Sequence, residues 1–454
     1  MPSPVVPPRF PTRRHIALFV AFLCVLRPLR PSAHEVPADL TVQAFAKPAA
    51  HQLQLVIRVP LSGLLNSRMP KEGPGYLALT DIGPSLHETS LEVAAAIDLY
   101  ENGQPLAPPT VTATRISLPL DRSFDSYDHA LAHLTGPPLP AGTEVFWEQG
   151  FMDAILDYQI QSAQSDFSMH AKLTPLAPAV TTTLQFLAPS GSVRSFTLPG
   201  DQGLIWFEPH WYQAALRFFR GSVFSAVTSS DLYFLLACLV IVAAGQWMML
   251  VPWLAALVAT QAAVIVATQI SGTPPADWLT PVVDVLRAAV IVYLALENIA
   301  AESLRRRWMA VAAFGLLSGV RLSTSMQPIV QFSGTHQILS WLTFGIGAAV
   351  AELAMTGAIA LPLLLLCRLF RAARMRTIIL SALVASVAWQ LVMSRGALLQ
   401  DIVWPVFDAT MLATMLSWAL TLVIGVGILW FGAGLLGHRA TSEAHRTPAS
   451  AGSR

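Results

Sequence analysis

Histidine is nearly missing from the apolar half of this chain: of eleven in the sequence, only His336 falls within residues 211–437, in a predicted loop. Neutral imidazole is a favoured ligand for nickel, cobalt and zinc, so a histidine-built metal centre inside those helices is excluded. Cysteine is scarce as well, with three residues in all. Cys24 lies in an N-terminal apolar run, Cys238 and Cys367 in predicted spans, and residues 34–210 contain none, which rules out a disulfide framework there. Charged residues make up 12% of 454, too few for one soluble domain of that size. No glycine-rich phosphate loop, nucleophile-elbow serine, paired-cysteine zinc motif or metalloprotease pattern occurs. We therefore expect no enzyme, no catalytic residues and no bound cofactor.

What is present divides the chain. Arg13 and Arg14 precede an apolar run at 16–26, and Ser32 and Ala33 follow it, which reads as a secretory signal peptide over 1–33; an uncleaved anchor is the alternative. Residues 34–210 hold eight Lys/Arg against eighteen Asp/Glu, an acidic stretch that argues against nucleic acid as a partner. Short alternating runs at 40–45, 52–59, 92–100, 110–118, 155–160, 181–186 and 193–198 predict strands. Asn102 and Gly103 give a hairpin signal. An exported all-β, sandwich-like domain over 34–205 is expected. Trp206, Trp211, Tyr212, Arg217 and Arg220 mark 206–230 as a joint at the headgroup level.

Seven apolar segments follow, at about 231–250, 252–270, 281–300, 307–326, 338–366, 377–397 and 411–436, each long enough to cross about 30 Å of hydrocarbon. They predict an all-α polytopic membrane domain over 231–437, in the lipid bilayer of a bacterial inner membrane, with a disordered cytoplasmic tail over 438–454. Arg305, Arg306 and Arg307, then Arg368, Arg371, Arg374 and Arg376, then Arg439 and Arg446 fall on one side, as the positive-inside rule expects if the β domain is exported.

Polar groups inside these spans are the candidate site, because charge in hydrocarbon is costly and marks function or obligatory pairing. Asp231, Asp284, Arg287 and Arg321 fall toward the outer side, Gln261, Ser318, Glu352, Ser386 and Gln390 nearer mid-depth, and Glu297 with Asn298 near the inner end. Asp284 and Arg287 share a helix face. These residues line a shared cavity or form structural ion pairs; the pairing of Arg321 with Asp231, Asp284 or Glu352 stays open. Outside the membrane, a mature terminus at His34 and the spacing of Asp125, His129 and His133 on a predicted helix are candidate metal ligands.

Taken together, several stretches make the chain resemble the HupE/UreJ family in its version with an exported N-terminal domain. In the exported part they are 117–124 (Ser117-Leu118-Pro119-Leu120-Asp121-Arg122-Ser123-Phe124), 130–137 around His133, and 146–153 ending Phe151-Met152-Asp153. In the membrane part they are Leu232-Tyr233-Phe234-Leu235-Leu236, Ile291 to Asn298, Phe314-Gly315-Leu316 and Ser381 to Ala385. The resemblance implies a nickel or cobalt permease, and implies histidines where this chain has other residues. A histidine-glycine-aspartate-histidine pattern corresponds to Phe224, Thr228, Ser230 and Asp231; further family positions read Gln261, Ser318, Arg321, Gly345, Ala349, Glu352, Ser386 and Gln390. We expect a transporter-like protein with a divergent metal site, taking a metal ion or another small solute. The alternative is a non-transporting membrane protein whose acidic exported domain binds a protein partner or supports assembly of another complex.

Overall fold

β-Branched and aromatic residues in short runs make strands where pairing buries one or both faces. The computed structural model describes residues 40–402, 404, 409, 411–413 and 416, less 65–68, 174–179, 245, 273–274, 301–306 and 370–372. Its strands are β1 (Leu40–Ala49), β2 (Gln52–Pro60), β3 (Lys71–Glu72), β4 (Tyr76–Leu77), β5 (Ile97–Glu101), β6 (Gln104–Pro105), β7 (Thr110–Ser117), β8 (Phe151–Gln159), β9 (Phe167–Ala171), β10 (Val180–Leu187), β11 (Val193–Pro199) and β12 (Ile205–Trp206). Six form a mixed sheet in the order β11-β10-β1-β2-β8-β7, with β1 and β10 parallel. Four form a second sheet, β12-β9-β5-β6, and β3 pairs with β4. Asn102 and Gly103 take positive φ, 51° and 79°, and turn β5 into β6 as the hairpin signal requires.

The N-terminal domain is β-rich but not all-β. Residues 92–100, expected as one strand, divide: α1 (Gly83–Ala95) takes the first part and β5 begins only at Ile97. Pro84 sits in the first turn of α1, and Leu86, Ser90, Val93 and Ala94 are buried at helical spacing, so period 3.6 overrides the short alternation. A second helix, α2 (Tyr127–Thr135), is capped by Ser126. β2 is buried on both faces. Leu53, Leu55, Ile57 and Val59 enter the core shared with the second sheet, whereas Val56 joins Phe45 and Ile155 beneath Phe124, Tyr127, Ala130 and Leu134. This two-sided burial explains why the alternation of β2 is interrupted by the apolar run Leu55-Val56-Ile57.

The helical half consists of α3 (Trp211–Val227), α4 (Ser230–Ala243), α5 (Leu250–Ser271), α6 (Leu279–Ala300), α7 (Arg307–Val330), α8 (Gln337–Leu369) and α9 (Ala373–Leu398). Among the described residues five helices are long and apolar enough to cross a membrane, and α3 with α4, bent by 69°, makes a sixth if the pair is one broken span. The first expected span, 231–250, is therefore corrected: α4 has 14 residues, about 21 Å at 1.5 Å per residue, and is too short alone. The span expected at 411–436 and the tail lie outside the described residues, apart from the few positions named above. α3, in the stretch expected as the joint, carries buried Ala214, Phe218, Ser222 and Ala226.

Glycine lets these helices close. A Cβ on Gly315 would lie 2.0 Å from Thr260 Oγ1, one on Gly319 2.6 Å from Val264 Cβ, and one on Gly347 2.7 Å from Phe219 O. The first two stand four apart, so one stripe of α7 presses onto α5 in the small-residue mode of membrane helices. At the other end of α7 the two halves meet: Gln331 bonds both the N–H and the C=O of Thr197 in edge strand β11, at 2.7 and 2.8 Å. Phe332 stacks on Phe196 at 5.9 Å and is buried in the β core.

Candidate functional site

The bend between α3 and α4 leaves Thr228 and Ser229 between the two helices and starts α4 at Ser230 and Asp231. Around this break lies a cavity of about 520 Å³, lined from α3 and α4, from Asp284 and Arg287 of α6, from Arg321 and neighbours of α7, and from Arg395 of α9. Its charges form a chain. Asp231 Oδ2 accepts from Arg395 Nη1 at 2.8 Å and lies 3.3 Å from Arg287 Nη1. Arg287 Nη1 also reaches Asp284 Oδ1 at 3.3 Å, while its Nη2 donates to Ser229 Oγ at 2.8 Å. Arg395 donates in addition to the Asp284 carbonyl at 2.9 Å. Arg321 stands apart: its Nε is 3.9 Å from Asp284, it donates no hydrogen bond among the described residues, and its side chain is 50% exposed.

A recess of about 30 Å³, room for a water or two, shares Ser225, Ser229, Arg287 and Arg321 with the cavity and adds Gln261, Ser318 and Glu352. Gln261 Nε2 donates to Glu352 Oε1 at 2.7 Å, from α5 to α8. Glu352 Oε2 and Ser318 Oγ are buried without a hydrogen-bond partner. The Gly319 contact on α5 holds Ser318 and Gln261 at this spot, because a side chain there would strike the Gln261 carbonyl.

The expected residues thus separate. Asp231, Asp284, Arg287 and Arg321 meet in the cavity, and Gln261, Ser318 and Glu352 in the recess. Arg321 pairs with neither Asp231 nor Glu352 within 4 Å; Asp284 is its only close carboxylate among the described residues. Glu297 and Asn298 belong to another polar centre, where Arg307 Nε lies 3.2 Å from Glu297 and Asn298 donates to the Cys238 carbonyl at 3.1 Å. Arg307, expected in a basic loop cluster, is buried in α7 with its guanidinium 5.5 Å from the Trp253 ring centre. Ser386 and Gln390 are exposed on α9 among the described residues and line neither the cavity nor the recess. The face of α9 that turns inward carries Ala388, Ser381 and Arg395 instead.

Arg395 is the residue that sequence reasoning missed. Its signal was legible: an arginine at the end of an apolar helix, on the side where other loops carry none, needs an acidic partner.

In the β-rich N-terminal domain the expected ligand spacing does not form. Asp125 ends a 3-10 turn (Ser123–Asp125), and the extended Ser126 breaks the phase before α2, so Asp125 does not share a helix face with His129 and His133. His129 is exposed, and His34 lies outside the described residues. Among the described residues no group of three His, Cys, Asp or Glu stands together as a metal site. His133 joins a different cluster instead. Arg58 Nη2 lies 2.7 Å from Asp153 and 2.9 Å from Asp121, with its guanidinium 4.2 Å from the Phe124 ring centre and 5.2 Å from that of Phe151. Ser117 Oγ donates to Asp153 at 2.5 Å and meets His133 Nε2 at 2.8 Å. Three stretches that carry the family resemblance, 117–124, 130–137 and 146–153, therefore converge on Arg58.

Ser117, His133 and Asp121 superficially suggest a nucleophile, but Ser117 is buried and commits its single proton to Asp153, which leaves His133 to donate rather than accept. Burial pushes the His133 imidazole below its ordinary value, against the pull of Asp121. Burial would raise the Asp121 carboxyl, but Ser123 and Arg58 outweigh it and hold it at about 2.

No curated protein matches the chain. Residues 228–395 match the model of the HupE / UreJ protein family. The matched segment opens at Thr228 in the helix break and closes at Arg395 in the cavity, so it takes in the cavity's five charged residues, and over that segment the chain is similar to HupE/UreJ proteins.

Proposed function

We propose that this is a transporter-like HupE/UreJ membrane protein whose solute cavity lies at the α3–α4 break, and whose inherited preference for a nickel or cobalt ion is impaired or lost. The observation that carries this reading is the lining of the cavity by Arg287, Arg321 and Arg395 against Asp231 and Asp284. Broken helices with polar backbone at mid-depth are how many transporters form a solute site. A guanidinium within 4 to 6 Å repels a dication by several kcal/mol even at an effective dielectric of 20. Carboxylates already engaged by arginine, with a glutamine and a serine beside them, are weak ligands for nickel or cobalt. The test is equilibrium dialysis of the purified full-length protein against micromolar nickel. Metal-free protein supports the reading, and one tightly held equivalent lost in Glu352→Ala overturns it.

A second reading is favoured by the closed geometry of Gln261, Ser318 and Glu352, which line only the small recess. There the chain is a non-transporting membrane protein, and its acidic exported domain binds a partner or supports assembly of another complex. Cross-linking in intact cells that joins the exported domain to one protein, with no solute flux in proteoliposomes, supports this second reading over the first.

A further inference from the structure

The cavity holds three guanidinium groups and two carboxylates among the described residues, an excess of one positive charge. Arg287 and Arg395 both bind Asp231, and Arg287 also reaches Asp284. Arg321 is left over, half exposed, with no hydrogen bond donated and its nearest carboxylate 3.9 Å away. Unpartnered polar atoms of both kinds are buried here, and the Oδ1 of Asp231 has no hydrogen-bond partner among the described residues. The Nε of Arg287, a residue 4% exposed, is buried with no partner. α4 begins at the same place, and Ser229, its N-cap, makes no side-chain cap because its oxygen accepts from Arg287. The first-turn N–H groups of a 14-residue helix thus start beside the arginines without a serine cap. Asp231 stands in that first turn, but its Oδ2 is taken by the two arginines.

We propose that the cavity binds a small monovalent oxyanion, such as a carboxylate or dihydrogen phosphate, with Arg321 as its principal partner and the α4 N-terminus and Arg395 beside it. The planar guanidinium of Arg321 presents two parallel N–H donors that match the two oxygens of such a group. The one surplus charge of the cavity lining, counted without the Glu352 carboxyl of the adjoining recess, matches a monoanion rather than a dianion. A free anion and the phosphate of an acidic lipid headgroup share this chemistry. The inference deepens the transporter-like reading by naming the solute class, yet binding itself stands on the cavity geometry whether or not transport occurs.

Full-length protein purified in non-ionic detergent is titrated with sodium acetate and sodium phosphate, and binding is followed by calorimetry. Saturable binding to the wild-type chain is expected, weakened at least tenfold in Arg321→Gln and only partly in Arg321→Lys. Arg321 donates no hydrogen bond among the described residues and its ion pair with Asp284 is long, 3.9 Å, so Arg321→Gln is expected to keep the fold, checked by an unchanged melting temperature without anion. Asp284→Asn, which removes a competing carboxylate, tightens binding. Absence of saturable binding by the wild type, or equal binding in Arg321→Gln, overturns the proposal. Repeating the titration in phosphatidylcholine nanodiscs with and without phosphatidylglycerol separates the two sources. Acetate binding lost only when phosphatidylglycerol is present makes the headgroup the occupant, and binding unchanged makes it a free anion. Acetate bound but not carried in proteoliposomes removes the transport reading alone, whereas acetate uptake with no difference between wild type and Arg321→Gln removes the oxyanion site alone.

Discussion

Arg395 Nη1 lies 2.8 Å from Asp231 Oδ2, a contact between α9 and the first turn of α4 that spans 164 positions of the chain. It fixes the start of the second half-helix to the far end of the matched segment. It also sets the electrostatic character of the cavity, since Asp231 has its Oδ2 shared by two arginines before any solute arrives.

Removing that carboxylate leaves two cations facing each other. Asp231→Ala is expected to destabilise the protein by about 3–5 kcal/mol, the cost of breaking a buried ion pair on one side. Asp231→Ala with Arg395→Gln recovers part of it, with a coupling of about 0.5–3 kcal/mol. Melting of the four proteins of this cycle in detergent measures both; strict additivity contradicts the pairing.

The α5–α7 contact predicts a steric effect. Gly315→Leu drives a side chain into Thr260 and the Leu257 carbonyl, 2.0 and 2.8 Å from where a Cβ would stand, and is expected to cost about 1–3 kcal/mol or more. Gly345→Leu, at a position where nothing lies within 4 Å, is expected to leave the melting temperature nearly unchanged. Equal effects at the two positions would mean that the helices do not close on Gly315.

The β-rich N-terminal domain predicts an acid limb. Asp121 is held at about 2 against an ordinary 3.8, so the unfolded chain binds more protons between those values. The stabilisation is fully present above pH 3.8 and is lost as pH falls toward 2. It amounts to about 2 kcal/mol at 1.36 kcal/mol per pH unit. His133, depressed below 6.5, acts in the same direction in the window just below that value, because the unfolded state takes up its proton first. Denaturant unfolding at pH 7, 5 and 3 is expected to show falling stability, and Asp121→Asn to flatten the lowest part of the curve.

Much of this was written in the sequence. Six of seven expected strands are found within a few residues, and spans two to six match α5 to α9, because alternation and long apolar runs record burial directly. The failures have physical causes. The short apolar stretch at 92–95 reads the same way in a strand or at a helix end, and only burial at spacing 86, 90, 93 and 94 separates the two. α4 reads as the start of a full span because hydropathy does not register a bend at Thr228 and Ser229. Span layout groups Ser386 and Gln390 with the mid-depth polar residues but does not give the angular position of α9, which is set by packing around Ala388 and by Arg395 reaching Asp231. Polar type marked most of the site, but partner choice is three-dimensional: Arg321 has three candidate acids in sequence and meets one loosely in space.

The account turns on whether an arginine-lined cavity still passes a dication. Nickel and cobalt uptake into proteoliposomes holding the full-length chain measures this directly. The predicted result is uptake no faster than in protein-free vesicles; uptake well above that level, abolished by Glu352→Ala and retained in the surface variant Lys71→Ala, would contradict it.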